Sequence, residues 1–415
     1  MGKETTTHWV IAAALLALAA PPVRAQLGGI LPVDPLGTVD QVRETVRDLT
    51  DTTLAPAEAA VGDARQLAQN RLKRLTRFVS NNRDAVEWDD RHQAAVRGEV
   101  LLLDPDPEAI GVARRAGYAV LEQGRVEGLD VPYARLRVPD GKPLARALKD
   151  LRKALPGRDI CADQIHFQAG KALDVSHAKG SSGALPRGGT VGVIDGGIGE
   201  SERLAAQRGF ANGAPRTSEH ASAIASLLTG AGTAHIYGAD VYGTDPAGGN
   251  ALAIARALGW MQQQGVPVVS ISLVGPANPL LARAIDAARR KGMVVVAAVG
   301  NDGAAAPPAY PASYPGVIAV TGVDGAGRVL IEAGRAAHLD YAAPGADMSA
   351  LVPGKGRMDL RGTSFAAPLA ASRIAARRME PGSVTVALKA VDSEAVAASR
   401  RTGRGIVCNI CRSGL

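Results

Sequence analysis

Residues 266–300 read VPVVSISLVGPANPLLARAIDAARRKGMVVVAAVG. The segment opens with a strand-like run, VPVVSISLV (266–274), and closes with another, MVVVAAVG (293–300). Between them NPLLARAIDAARRKG (278–292) reads as a helix closed by Gly292. Continuous Val/Ile runs of this kind belong to strands covered on both faces. The same alternation extends outward. Upstream lie a buried strand GTVGVID (189–195), a helical stretch 219–229, a strand within AHIYGADVYG (234–243) and a helix ALAIARALGWMQQQG (251–265). Downstream GVIAVTGV (316–323) is a further strand. The expectation is an α/β fold, a mostly parallel sheet with helices on both faces.

The first 170 residues have a different rhythm. GEVLLLD (98–104), PEAIGVARRAG (107–117), YAVLEQ, VPYARLRVP, KPLARALKDLRKA (142–154) and ADQIHFQ (162–168) follow the order β-α-β-β-α-β. That order within about 70 residues fits a small ferredoxin-like α+β unit. Ahead of it, 38–54 and 57–80 are helix-prone and separated by Pro56, with Leu67, Leu72, Leu75 and Phe78 near one face of the second. This extension, 26–96, shows nothing catalytic. Behind the unit, AGKALDVSHAKGSSGALPR (170–188) has the composition of a linker.

Of the 415 residues 46% are hydrophobic, which excludes a mostly disordered chain, and the length suggests two or three domains. Aromatics are 3% and glycines number 48, so small residues do much of the packing. The net charge of +7 is distributed as +1 over 1–25, −1 over 26–170 and +7 over 171–415. That is mild and scattered, and with no zinc-finger or RNA-binding signature it gives no ground for a nucleic-acid partner. Residues 1–25 have the form of a secretory leader: Lys3, the apolar run WVIAAALLALAA, then Val23-Arg24-Ala25 before a cut. The run is too short to span a bilayer, so no stable membrane anchor is expected and the product is periplasmic or secreted. Cys408 and Cys411 of CNIC are one candidate pair in such a compartment, and Cys161 with Cys408 is another. Three cysteines are too few for a zinc site, so no metal is assigned.

Functional groups of a parallel sheet gather past the carboxyl ends of its strands. Asp195 ends GTVGVID and precedes Gly196-Gly197; alone it is an ordinary turn residue. His220 opens the small-residue run HASAIASLLTG (220–230), which lets a helix lie close to the sheet. Ser364 lies in GTSFAAP (362–368) at the start of a helix that tolerates Pro368 only near its first turn. A serine there is commonly a cap, but free N–H groups at a helix start also suit an oxyanion beside a nucleophile. Asn301 follows MVVVAAVG directly and could donate its amide toward the same oxyanion.

Taken together these stretches resemble the subtilisin-like serine proteases, the subtilases of peptidase family S8. VGVIDGGIG resembles that family's Asp motif, HASAIASLLTG its His motif and GTSFAAP its Ser motif, in the same order. SISLVG (270–275), AVGNDG (298–303), YPASYPGVIAV (310–320) and AAPG (342–345) resemble supporting segments, and the likeness covers about 188–407. The resemblance implies an exported serine endopeptidase with a triad of Asp195, His220 and Ser364, and an oxyanion hole of Asn301 and the Ser364 N–H. It implies substrate backbone bound by Ser272, Leu273, Gly275, Ala298 and Gly300. Residues 97–170 then correspond to a propeptide that aids folding and inhibits the enzyme in its own cleft, 171–187 to a linker and 188–415 to the peptidase domain. Processing is expected within 167–187. Ala221 and Ser222 stand where the family has Gly and Thr, and no loop with a calcium signature is visible, so structural calcium is not supported. Partners are therefore protein or peptide substrates and the chain's own propeptide. The alternative is a subtilase scaffold of reduced activity that binds proteins or cuts only itself.

Overall fold

The computed structural model describes residues 54–173, 188–379 and 382–412. The leader 1–25, nearly all of the helix expected over 38–54, and linker residues 174–187 lie outside them. The chain begins with α1 (Leu54–Asn81), which takes Pro56 into its first turn, where a missing N–H costs nothing. The helical expectation for 26–96 fails at its end. β1 (Val86–Trp88) and the start of β2 (Ala94–Leu103) form there, because the two segments pair antiparallel. There follow α2 (Pro107–Arg115), β3 (Ala119–Val126), β4 (Val131–Arg137), α3 (Leu144–Ala154) and β5 (Ile160–Gln164). The sheet runs β3-β4-β2-β5, with β1 beside the start of β2 on the edge it shares with β4, and every pairing is antiparallel. Residues 94–164 are thus a ferredoxin-like unit, to which β1 adds a fifth strand.

Past β5 the expected strand 162–168 breaks. Phe167–Gln168 is a separate two-residue strand, β6, and Lys171–Leu173 is another, β7, inside the stretch expected to be linker. The second half continues with β8 (Thr190–Asp195), β9 (Leu204–Gly209), α4 (Glu219–Gly230), β10 (His235–Asp240) and α5 (Ala251–Gln263). Next come β11 (Val268–Ile271), β12 (Leu273–Val274), α6 (Pro279–Arg290), β13 (Val294–Ala298), β14 (Ile318–Val323) and β15 (Tyr341–Pro344). A hairpin, β16 (Met348–Val352) and β17 (Gly356–Arg361), leads into α7 (Thr363–Arg377) and α8 (Val384–Glu394). The large sheet has seven strands in the order β15-β14-β13-β11-β8-β10-β9, all parallel.

Side-chain alternation divides the core. Val191, Val193, Val294 and Val296 pack with α4 and α7, while Ile194, Val295 and Ala297 pack with α5 and α6. β2 shows the same division across two units. Val100 and Leu102 face α2 and α3, whereas Leu101 and Leu103 enter the core containing α5 and α6. The run VLLL is apolar throughout because each face has a partner. At the same interface β5 meets two helix starts. Asp163 Oδ1 accepts from Leu252 N–H in the first turn of α5, at 3.0 Å. Asn278, the N-cap of α6, accepts from Leu281 N–H and donates to Ala162 O (3.0 Å) and Gln164 Oε1 (2.6 Å). Cys408 and Cys411 form a disulfide, and Cys161 is a free, buried thiol.

Asn278→Ala removes a cap and leaves buried acceptors on β5 without a donor. We expect a loss of about 2–4 kcal/mol in the uncut chain, read as a lower melting temperature.

Candidate active site

Asp195 is the last residue of β8, and Gly196 N–H returns to its Oδ1 at 2.7 Å. A Cβ at Gly196 would stand 2.6 Å from Ser218 Cβ, so only glycine lets the chain turn here. Ser218 caps α4, and His220 is the second residue of that helix. Ser222 Oγ donates to Ser218 O and accepts from Gly199 N–H, so the unusual serine secures the helix start. The imidazole Nδ1 lies 2.9 Å from Asp195 Oδ2 and Nε2 lies 2.9 Å from Ser364 Oγ. With the Asp195 carboxylate accepting from Nδ1–H, a neutral ring presents the Nε2 lone pair to the serine hydroxyl. Asp195 and Ser364 have no exposed surface, and Phe365 packs on the imidazole with ring centroids 5.1 Å apart.

Ser364 is the second residue of α7, entered through Gly362 with φ of 139°. Pro368 sits inside α7 rather than in its first turn, as the sequence suggested, and cannot donate to Ser364 O. That carbonyl accepts instead from Ser272 Oγ–H at 2.7 Å. Ser272 was expected to hold substrate backbone. Its carbonyl does accept from Ala169 N–H (3.0 Å), while its hydroxyl supports the helix that carries Ser364. Thr363, which sequence reasoning passed over within GTSFAAP, bonds both Gly300 N–H and Gly300 O through Oγ1, each at 3.1 Å. Its own N–H donates to Asn301 Oδ1 at 3.0 Å. Asn301 Nδ2 is thereby turned toward Gly362, whose absent Cβ would lie 2.7 Å from that nitrogen and 3.1 Å from Ala169 O. Ser364 N–H donates to the same Ala169 O at 2.8 Å.

The chain itself lies in the cleft. Gln168 and Phe167 of β6 pair antiparallel with Leu273 and Val274 of β12. Gly275 is required at the next position, since a Cβ would strike the His166 ring. Beyond Ala169, a Cβ on Gly170 would run into Ser364 Oγ, and β7 pairs with β17 on the far side. Gly300 lines the adjoining cavity. Ala298 does not: it closes β13, and the pleat directs it into the core with α7. Two contacts had no signal in the sequence. Gln168 Nε2 donates to Asp195 Oδ1 at 2.7 Å, and Tyr242 O–H donates to His166 O at 2.7 Å. Among the described residues no group of three or more His, Cys, Asp or Glu side chains could hold a metal ion, and no helix is long and apolar enough to cross a membrane.

The peptidase S8 family model, described as the subtilase family, matches residues 187–390. Subtilisin BL of Lederbergia lenta is 32% identical over 209 residues, 46% of this chain and 76% of that protein. Alkaline elastase YaB of Bacillus sp. (strain YaB) is 30% identical over 210 residues, 47% of this chain and 54% of that protein. Among solved structures, fervidolysin from Fervidobacterium pennivorans superposes with a TM-score of 0.64 at 17% identity, covering 77% of this chain and 61% of that one. At that identity the superposition speaks to the fold.

Two buried groups make the docking of 160–169 pH-dependent with opposite signs. Burial pushes the His166 imidazole down to about 4, against weaker opposing contacts with the backbone at Gln164, Pro276 and Gly249. Released, it takes a proton near its ordinary value, so its contribution is present above that value and lost as pH falls toward 4. Burial pushes the Asp163 carboxyl up to about 7, against the Leu252 N–H bond, so its contribution is present at low pH and lost as pH rises through 7. In an uncut Ser364→Ala background, His166→Phe should isolate the first effect. Between pH 7 and pH 5 the chain that keeps His166 should lose about 2 kcal/mol relative to the His166→Phe variant, read from melting curves.

Proposed function

Because the chain belongs to the subtilase family and is a serine endopeptidase, we propose that its first substrate is its own Ala169–Gly170 bond, cut by Asp195, His220 and Ser364. One observation carries this reading: the chain crosses the site as a bound peptide. Ala169 N–H is held by Ser272 O, its carbonyl oxygen by Ser364 N–H, and Gly170 lies against Ser364 Oγ.

In this scheme Ser364 Oγ adds to the Ala169 carbonyl carbon while its proton passes to His220 Nε2. Asp195 orients the ring through Nδ1 and stabilises its charged form. The developing oxyanion lies between Ser364 N–H and Asn301 Nδ2, donors already fixed before the reaction. The tetrahedral intermediate collapses as His220 gives the proton to Gly170 N, leaving an Ala169 acyl-enzyme and freeing Gly170. Water activated by His220 then releases the Ala169 carboxylate. Leu273 and Val274 hold the peptide as an added strand, and Gly275 leaves space beside it. The same groups act on other proteins once the N-terminal piece departs. That piece inhibits until then, because β5, β6, Asp163 and the two β5 acceptors of the Asn278 amide all lie before the cut and hold the cleft strand in place. Export through residues 1–25 to the periplasm or beyond belongs to the same reading, and the Cys408–Cys411 disulfide suits an oxidising compartment.

Mass spectrometry of the exported protein should find Gly170 as the new N-terminus, and Ser364→Ala should leave the chain uncut. Activity on casein should fall at least about 10³-fold in Ser364→Ala and about 10²-fold in Asn301→Ala, the range seen for such donors in this family. A wild-type chain that cuts itself but not casein would support the self-limited alternative. Gln168→Glu places a carboxylate against Asp195 and should slow self-cutting about ten-fold or more, whereas Gln168→Ala, which loses only a hydrogen bond, should slow it less.

A further inference from the structure

We propose that α1 is a second inhibitory element, which seats beside the reactive serine and keeps the cleft closed after the Ala169–Gly170 bond is cut; this rests on the self-processing reading above. α1 lies outside the ferredoxin-like unit, yet it reaches the peptidase directly. Arg71 Nε lies 3.2 Å from Asp302 Oδ2 and Arg74 Nη2 lies 2.7 Å from Asp302 Oδ1. The two arginines are three residues apart on one helix face and grip both oxygens of one carboxylate. Asp302 follows Asn301, the proposed oxyanion donor, and its side chain is only 18% exposed, so the charges meet in a partly dried site. One turn earlier Leu67 sits on the Gly303 backbone, where a Cβ would come within 2.8 Å of Leu67 Cδ1. At the other end of the helix Phe78 meets Phe167 edge to face, with centroids 4.9 Å apart, and Val79 is buried with Ile165.

Between these anchors is a cavity of about 570 Å³. Its walls include Val274–Ala277 and Val299–Asp302, Ala169 lines it, and Leu67, Arg71 and Leu75 contribute from α1. An incoming substrate residue in the place of Ala169 would send its side chain into this space, across which α1 stands. None of the described α1 contacts reaches residues 170–173. They fall on 302–303 and on the segment before the cut, so breaking the bond leaves the helix seated. The occupant of this surface is therefore a helix of this chain carrying two arginines one turn apart, and release requires the Asp302 contacts to open. Arg74 is 53% exposed, so part of the attraction is open to screening by salt.

The test uses the full-length precursor as wild type, as the Arg71→Ala/Arg74→Ala double variant and as Leu67→Asp. Appearance of the Gly170 N-terminus is followed by mass spectrometry, and turnover by a chromogenic peptide with a large side chain before its cut. In wild type, turnover should lag behind cutting, and added salt should shorten the lag. In the double variant, cutting should proceed within about two-fold of wild type while the lag shortens about five-fold or more and loses most of its salt dependence. Leu67→Asp should shorten the lag in the same direction by unseating the apolar contact. Turnover after complete removal of the N-terminal piece should be equal in all three. Turnover that starts with cutting in wild type, or a lag unchanged in both variants, overturns the role of α1 alone. A precursor never cut at Ala169–Gly170 overturns the self-processing reading, and the role of α1 with it.

Discussion

A helix start leaves backbone N–H groups without partners inside the helix, and the first turn of α7 brings that deficit to the centre of this molecule. Thr363 N–H is taken by Asn301 Oδ1 and Ser364 N–H by Ala169 O. Pro368 adds a deficit of the opposite kind, an unused Ser364 carbonyl, which Ser272 satisfies. Three separate segments are thereby tied to the main chain around one serine: the loop at 300–301, the end of β11 and the strand in the cleft. Each bond is made for the ordinary reason that a buried polar group left alone is costly. Together they fix the hydroxyl and its neighbouring N–H before any reaction, the preorganisation on which acyl transfer depends.

The N-terminal half follows the same rule at larger scale. The starts of α5 and α6 face β5, which supplies Asp163 as an acceptor for α5 and takes the Asn278 amide from α6. β2 closes one core with its own helices and a second core with α5 and α6. Arg256 with Glu122, and Arg283 with Asp104 and Asp159, rim the contact. Docking therefore combines apolar burial with helix capping, and the cleft strand β6 is delivered as the continuation of β5.

Asp195, His220 and Ser364 were readable because their positions follow from local backbone grammar. A glycine pair turns the chain away after a buried strand and leaves Asp195 at the carboxyl end of β8, a run of small residues brings His220 against it, and Gly362 starts the helix that carries Ser364. The misreadings have equally specific causes. Ala298 belongs to a run, AVGN, of which Val299, Gly300 and Asn301 line the cavity while the pleat sends the Ala298 side chain into the core with α7. β9, β16 and β17 (LAAQRG, MSALV and GRMDLR) lack the continuous β-branched runs of the central strands. They form because a neighbour offers backbone partners. The split at 165–166 that separates β5 from β6 reflects two different partners, β2 for one and β12 for the other.

Residue types and their spacing were enough to establish the parallel sheet and the ferredoxin-like unit and to single out Asp195, His220 and Ser364, because periodicity and turn chemistry act over a few residues. They could not show that Gln168 reaches Asp195, that Asp302 receives two arginines from a helix more than 200 positions away, or that Ala169 is the residue whose carbonyl meets Ser364. Those contacts join surfaces with no shared periodicity, and a lone Gln, Asp or Ala carries no mark of its eventual neighbour. Only closure of the chain into a packed body, with its polar groups seeking partners, selects them.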